Sequence, residues 1–157
     1  MRFCLAFICL FFLIGSVSKG QDCINYHQNA CPKLNPNPYN EVPEGCKSAL
    51  LLRGEQMESV FTIFQCKDYR ITLCSELFNN EVVLKIYDAD DGSVLLYDNT
   101  VNEVAQIFEF QVFNTRRVRA VVSVPKTNAS KKNTGLLVEK TPRGCVGLLL
   151  ESMVTRK

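Results

Sequence analysis

The chain has 157 residues and a formal net charge of +2, with 18 basic and 16 acidic side chains and one histidine. Its length fits a single domain that can bury a core. The balanced charge gives no overall field that would attract nucleic acid or an anionic membrane, so we expect no nucleic-acid partner.

The first twenty residues have the pattern of a secretory signal peptide. Met1-Arg2 is a short basic start, the run from Phe3 to Ile14 is apolar and uncharged, and small and polar residues follow as far as Gly20. The alternative is a membrane anchor, but the run is shorter than the roughly 20 residues that a spanning helix needs. We therefore expect cleavage near Gly20, a mature chain beginning at Gln21 without a transmembrane segment, and secretion to the periplasm or the cell exterior.

Six cysteines remain after such a cleavage, and an even number in an exported chain predicts three disulfides. They are Cys23, Cys31, Cys46, Cys66, Cys74 and Cys145. Cys23 and Cys31 are close enough in sequence to close a small loop, so we expect this pair first. We disfavour Cys66–Cys74, because a hairpin between them would separate the two by about 20 Å. Zinc binding is the rival interpretation, but no Cys-x-x-Cys pair is present.

Residues 21–46 differ in composition from the rest of the chain. They hold four prolines and five asparagines, which favour turns and extended chain over helix. We predict an irregular arm that its cysteines pin to the main domain. A separate disulfide-bonded microdomain is the alternative, but the segment has no apolar run to form a core.

The pattern from residue 47 onward predicts strands. About eight short apolar or alternating runs occur, separated by turn residues, and no convincing helix. They are Lys47–Leu52, Met57–Cys66, Tyr69–Cys74, Val82–Tyr87, Ser93–Tyr97, Gln106–Phe113, Arg117–Val124 and Cys145–Glu151. This predicts an all-β fold, an antiparallel β-sandwich over residues 47–157. The alternation indicates that one face of several strands meets water. It places Phe108, Phe110 and Val112 on the face opposite the outer residues Glu109 and Gln111, and it turns Val118, Ala120, Val122 and Val124 inward. Leu136–Val138 could form a further edge strand.

The order of these runs resembles that of a known group of domains. It is similar to small, uncharacterised secreted proteins of Gram-negative bacteria and to pre-peptidase C-terminal domains, which are jelly-roll-like β-sandwiches attached to secreted enzymes. The resemblance covers residues 57–151 and implies a jelly-roll-like module associated with calcium or carbohydrate. The segments that carry it are Asp68–Cys74, Lys85–Asp88, Tyr97–Asn99, Phe108–Phe110, Val118–Pro125 and Gly144–Gly147.

Four aspartates lie in and after one predicted hairpin: Asp88, Asp90, Asp91 and Asp98. Hard oxygen ligands at such close spacing could hold calcium. We favour an ordinary turn, because aspartate and glycine are the usual turn residues. No cofactor is expected.

His27 lies in the arm, where we expect a solvated loop residue rather than a catalytic base. Arg116, Arg117 and Arg119 form a small arginine group. We expect Arg119 and Arg117 to pair across strands with Glu109 and Gln111 rather than to bind a polyanion.

Asn128 begins an Asn-Ala-Ser sequon, which matters only in a host that glycosylates. A flexible, lysine-rich loop is the interpretation we prefer for this segment.

We therefore expect a secreted, non-enzymatic module that binds a surface protein or glycan, or serves a structural role. The acidic hairpin near Asp90 and the loop 126–144 are the best-placed regions for binding. The alternative is a carrier of a lipid or small apolar ligand, because Cys46–Glu55 leading into Val60–Phe64 resembles six-cysteine lipid-recognition domains. A carboxylate-based hydrolase is the second alternative. A cavity between the sheets would favour the carrier, and a filled core with a flat face would favour the binding module.

Overall fold

The computed structural model describes residues 23–126 and 142–155. The predicted signal peptide, Asn128 and Leu136–Val138 lie outside the described residues. Within them, no helix has the length and apolarity needed to cross a membrane. The elements are one short helix, α1 (Tyr26–Ala30), and nine strands: β1 (Asn40–Glu41), β2 (Lys47–Leu52), β3 (Gln56–Ile63), β4 (Lys67–Ser75), β5 (Val83–Asp88), β6 (Leu95–Asp98), β7 (Ile107–Val112), β8 (Arg116–Ser123) and β9 (Arg143–Val154). Three single 3-10 turns cover Pro43–Gly45, Asn79–Glu81 and Asn99–Asn102.

The strands form one long nested hairpin. β5 pairs with β6 at its tip, β4 pairs with β7, β3 with β8 and β2 with β9, all antiparallel. The hairpin is rolled up so that β9 also pairs with β4, and β8 with β5. Two sheets result. The first has the order β2-β9-β4-β7, and β1 pairs with the C-terminal part of β9 on the same side as β2. The second has the order β3-β8-β5-β6. This is the jelly-roll arrangement, which confirms the predicted fold class.

The core fills the space between the two sheets with alternate side chains of each strand. Val118, Ala120 and Val122 of β8 are buried, as their alternation predicts. Tyr69 and Ile71 of β4 face them from the first sheet and are equally buried. Full burial of one large apolar side chain stabilises the fold by about 1.5–3 kcal/mol, so these rows hold the sheets together.

The N-terminal arm covers the outer face of the first sheet. The disulfide Cys23–Cys145 fixes it to β9 and Cys31–Cys74 fixes it to β4, with Cα–Cα distances of 5.4 and 5.0 Å. The predicted disulfide-pinned arm is therefore confirmed. It differs from the expected irregular chain in containing α1, which ends at Ala30. Cys31 has extended backbone because Pro32 disfavours helical backbone in the residue before it. The arm also contains β1, which pairs with β9 as a strand of the first sheet.

Two predictions about the cysteines are wrong. Cys23 and Cys31 do not pair with each other, because α1 lies between them and each thiol meets a different strand. Instead of three disulfides there are two, since Cys46 and Cys66 are free. The Leu150 N–H donates to Cys46 Sγ, while the Cys66 carbonyl accepts from Thr155 N–H. These two points on β9 are about 16 Å apart, well beyond the roughly 7 Å Cα–Cα limit of a disulfide.

The outer face of β4 is buried, although its alternation predicts a solvent-exposed face. Arg70 is 3% exposed and Thr72 is fully buried, because the arm lies over them. The register places Arg70 between Glu109 and Glu151, with Nη1 3.6 Å from Glu151 Oε2 and Nε 3.6 Å from Glu109 Oε1. Asn37 of the arm donates to Glu151 Oε1 at 2.7 Å. The arm thus buries a cross-strand ion pair that the sequence pattern placed in water.

Candidate ligand-binding groove

A groove of about 330 Å³ opens between the two sheets where their edge strands β6 and β7 face each other. Tyr97 of β6 and Phe108 of β7 bridge the sheets, with stacked rings whose centroids are 3.7 Å apart. The ring centroids of Phe108 and Phe110 are 5.1 Å apart, and those of Phe110 and Tyr69 are 5.6 Å apart. This row of stacked rings runs from the open edge of the sandwich into its core.

The floor of the groove is formed by buried apolar side chains. Phe61, Ile63, Ile86 and Val118 line it and are all at least nine-tenths buried. They come from β3, β5 and β8, whose inward rows continue into the main core. The groove is therefore a part of the interior of the sandwich that remains open at one edge.

The mouth of the groove is mixed in polarity. Gln111, Asn114 and Arg116 line it with exposed polar groups, and Phe113 stands there with 77% of its side chain exposed. Arg116 is the one charged residue among those described that line the groove. The site thus presents an apolar interior below a rim that carries positive charge.

The acidic hairpin uses its aspartates in local turns. Asp88 Oδ1 accepts from the backbone N–H groups of Asp90 and Asp91, and Asp91 Oδ1 accepts from Ser93. The hydrogen bonds from Ser93 lower the pKa of Asp91. These bonds are those expected of turn residues.

Asp98 lies at the far end of β6 and has its own partners. Its Oδ1 accepts from Thr100 and its Oδ2 is 3.2 Å from Lys85 Nζ. The hydrogen bonds from Thr100, with the Lys85 charge, lower the pKa of Asp98. The four predicted calcium candidates therefore do not converge on a common point among the described residues.

The predicted pairing of the arginine group is wrong. Glu109 lies on β7 and Arg119 on β8, and these strands belong to different sheets. Arg119 instead contacts Glu58 of β3 at 3.2 Å and lies over the ring of Tyr87, and Glu109 pairs with Arg70. Consecutive strands of a jelly roll often cross between sheets, which adjacency in sequence does not reveal.

The prediction for His27 is also wrong, because its side chain is buried between the arm and β2 rather than solvated. Its Nδ1 is 2.7 Å from Ser48 Oγ, and its Nε2 is 3.8 Å from Glu41 Oε1. Burial lowers the pKa of His27, so the neutral imidazole is favoured near pH 7. Cys46 lies close by, and its thiol pKa is raised to about 11, again by burial. Of the described residues, only His27, Glu41 and Cys46 bring three groups of metal-ligating type together.

The fold and its cross-links define a class: a disulfide-linked jelly roll with an N-terminal arm, compatible with secretion or with another oxidising environment. Comparison of the chain with protein-family models, curated proteins and solved structures found no match. The resemblance to pre-peptidase C-terminal domains therefore stays a prediction.

Sequence reasoning missed the groove. Phe108 and Phe110 were predicted to face inward, and they do, but what lies opposite them depends on how the nested hairpin rolls up. The available signal was the uninterrupted apolar run Val94–Tyr97, which lacks the polar residues usual on the exposed positions of an edge strand.

Proposed function

We propose that this chain is a secreted, non-enzymatic binding module that holds a small amphipathic ligand in the groove between its sheets. The observation that carries the proposal is the groove itself, whose volume of about 330 Å³ lies within the range of small-molecule sites. A cavity of this kind favours the carrier hypothesis over a module with a filled core and a flat binding face.

The lining indicates the chemistry of the ligand. An apolar body would replace water on the buried floor around Phe61, Ile86 and Val118, which stabilises a complex by roughly 25 cal/mol per Å² of apolar surface removed from water. A negatively charged head group would remain at the mouth, where Arg116 is exposed. We therefore infer an acidic amphiphile, such as a medium-chain fatty acid.

Secretion is part of this proposal. The basic start, apolar run and small-residue zone of residues 1–20 support export. The two disulfides support residence in an oxidising compartment. We propose that the cleaved chain begins at Gln21 and acts in the periplasm or outside the cell.

The hydrolase alternative receives no support at this site. Among the described residues that line the groove there is no aspartate or glutamate. A pair of carboxylates is what glycoside hydrolysis by this route requires. Binding without turnover is therefore the activity that we propose for the groove.

A second candidate function is recognition of a protein partner along the same edge. Several apolar side chains of β6, β7 and the turns beside them are at least two-fifths exposed, and Phe113 among them lines the groove: Val94, Leu95, Val101, Ile107 and Phe113. Contiguous exposed apolar surface commonly marks an interaction site. Such a partner would cover the rim, whereas the ligand proposed above would fill the interior.

The test is binding of decanoate, measured by calorimetry and by displacement of the anionic apolar dye anilinonaphthalene sulfonate. We expect saturable binding of one decanoate per chain. Leu96→Glu places a negative charge at the mouth and should weaken binding about tenfold or more, which corresponds to 1.4 kcal/mol. Arg116→Gln should weaken decanoate binding but leave the neutral analogue decanol unaffected.

The matched control is Leu50→Glu. Leu50 is 36% exposed and Leu96 is 38% exposed, but Leu50 lies on β2, away from the groove. The Leu50→Glu variant should bind decanoate with the same affinity as the unchanged protein. Equal loss in both variants, or no saturable binding by the unchanged protein, would refute the proposal, and binding of a protein to the rim without decanoate would favour the second candidate.

A further inference from the structure

Three side chains with metal-ligating atoms meet where the arm joins the first sheet. His27 comes from α1, Glu41 from β1, and Cys46 precedes β2. One ligand atom of each lies within 4.8 Å of the other two. A tetrahedral zinc site with usual bond lengths has ligand atoms about 3.3–3.8 Å apart, and the His27 Nε2 to Glu41 Oε1 distance is already 3.8 Å. Shifts of less than about 1 Å would complete the geometry.

Each of the three side chains has a neighbour that orients it. Ser48 Oγ is 2.9 Å from the His27 backbone nitrogen and 2.7 Å from Nδ1. Because a hydroxyl oxygen has two acceptor lone pairs, it can accept from both groups, which leaves Nε2 with its lone pair free for a metal. Gln28 Nε2 donates to Glu41 Oε1 at 3.0 Å. Such partners of the ligands are characteristic of protein metal sites.

The Cys46 sulfur is held in place by hydrogen bonds with the backbone, and zinc binding would displace its thiol proton. The backbone N–H of Leu150 donates to Sγ at 3.3 Å, a bond that favours a thiolate. The protonated thiol donates to the Val42 carbonyl at 3.3 Å and to the Leu150 carbonyl at 3.5 Å, and a bond to zinc would replace these two contacts. Cys46 has no disulfide partner, although four of the six cysteines in the described residues are cross-linked.

We propose that His27, Glu41 and Cys46 bind one zinc ion, with water as the fourth ligand. Nitrogen, oxygen and sulfur donors in one site suit zinc, whereas calcium and magnesium select oxygen donors. The ion would join α1 to β1 and to the residue that precedes β2, and so hold the two ends of the arm together. This proposal is independent of the groove, which lies at the opposite edge of the first sheet, beside β7.

The test uses the purified mature protein with its disulfides intact. Titration with zinc alone should show one ion per chain and a rise in melting temperature, because a ligand that binds the folded state stabilises it. Cobalt substituted for zinc should give the thiolate-to-cobalt charge-transfer absorption that only a Cys–Co bond produces. Cys46→Ser should abolish that absorption, and both Cys46→Ser and Glu41→Gln should weaken zinc binding at least about tenfold.

Cys66→Ser is the matched control, because Cys66 is the other free cysteine and is exposed at the β3–β4 turn. It should retain the charge-transfer absorption and the affinity for zinc. Circular dichroism of the metal-free variants checks that each is folded. If Cys46→Ser does not fold, Glu41→Gln still tests the site, because glutamine has nearly the same size as glutamate. Absence of zinc binding, or absorption that persists in Cys46→Ser or disappears in Cys66→Ser, would overturn the proposal.

Discussion

Asn99 shows how one polar side chain fixes the end of β6 against its neighbour strand. It is fully buried at the start of the 3-10 turn Asn99–Asn102. Its Oδ1 accepts from the Leu84 N–H at 2.9 Å, and its Nδ2 donates to the carbonyls of Val82 and Ala105, each at 3.1 Å. The side chain thereby satisfies backbone groups that strand pairing leaves open, which is how buried polar atoms are tolerated.

Replacing Asn99 by alanine should lower the free energy of unfolding by about 2–4 kcal/mol, since backbone groups of Leu84 and Val82 would lose a partner and a small cavity would form. Urea unfolding followed by circular dichroism would measure the loss. Asn102→Ala is the control, because Asn102 is an exposed residue of the same turn. A loss under 1 kcal/mol for Asn99→Ala, or equal losses for both, would contradict the role given to Asn99.

At the scale of elements, the arm approaches β9 closely at Gly147. Gly147 lies opposite Cys74 in the register and beneath His27 of α1. An added Cβ would lie 2.8 Å from Cys74 Sγ and 2.9 Å from His27 Cα, and the latter is a backbone atom that cannot move alone. The arm can lie flat on the sheet because this position has no side chain.

Gly147→Ala should therefore destabilise the protein by about 1–3 kcal/mol, as overpacking does, and should loosen the arm more than the sandwich. Hydrogen exchange of the α1 amides compared with those of β8 would separate the two effects. In Gly92→Ala the new Cβ would meet nothing closer than Arg119 Nη2 at 3.9 Å, so this variant should be close to neutral. Unchanged exchange in α1 of Gly147→Ala would be inconsistent with a close contact here.

The strands themselves were largely predictable, because alternation depends on local residues. β2 has the predicted bounds, and the inward row Val118, Ala120 and Val122 of β8 is buried as expected. The surface against which the arm packs could not be predicted. Cys23 bonds to a cysteine 122 residues away, and nothing in the local sequence of Cys23 specifies that partner. Burial of Arg70 on the outer face of β4 follows from the arm, so it was missed for the same reason.

For the whole molecule, the number of free thiols tests the cross-linking scheme. We expect the mature protein to have an intact mass that begins at Gln21 and retains two disulfides, and to show two reactive thiols when denatured without reduction, those of Cys46 and Cys66. Both should be absent in the double variant Cys46→Ser/Cys66→Ser. A count of zero would mean a third disulfide, and a mass that includes residues 1–20 would refute cleavage.

The groove is likewise a property of the whole molecule. β6 and β7 follow each other in sequence but end in different sheets, and their aromatic side chains meet only after the hairpin has rolled up. Alternation in β7 correctly assigned Phe108 and Phe110 to the inner face. It could not indicate that the edge opposite them stays partly open, because that depends on the spacing of two sheets rather than on either strand.

The nested strand order also determines when the chain can fold. β2 pairs with residues about a hundred positions later, and β9 occupies the centre of the first sheet between β2 and β4. That sheet cannot assemble until residues 143–154 have been synthesised, and chains dominated by such distant pairings fold in milliseconds to seconds rather than microseconds. Until then the edges of β2 and β4 that pair with β9 lack their partner, and unpaired strand edges of this kind are prone to aggregation.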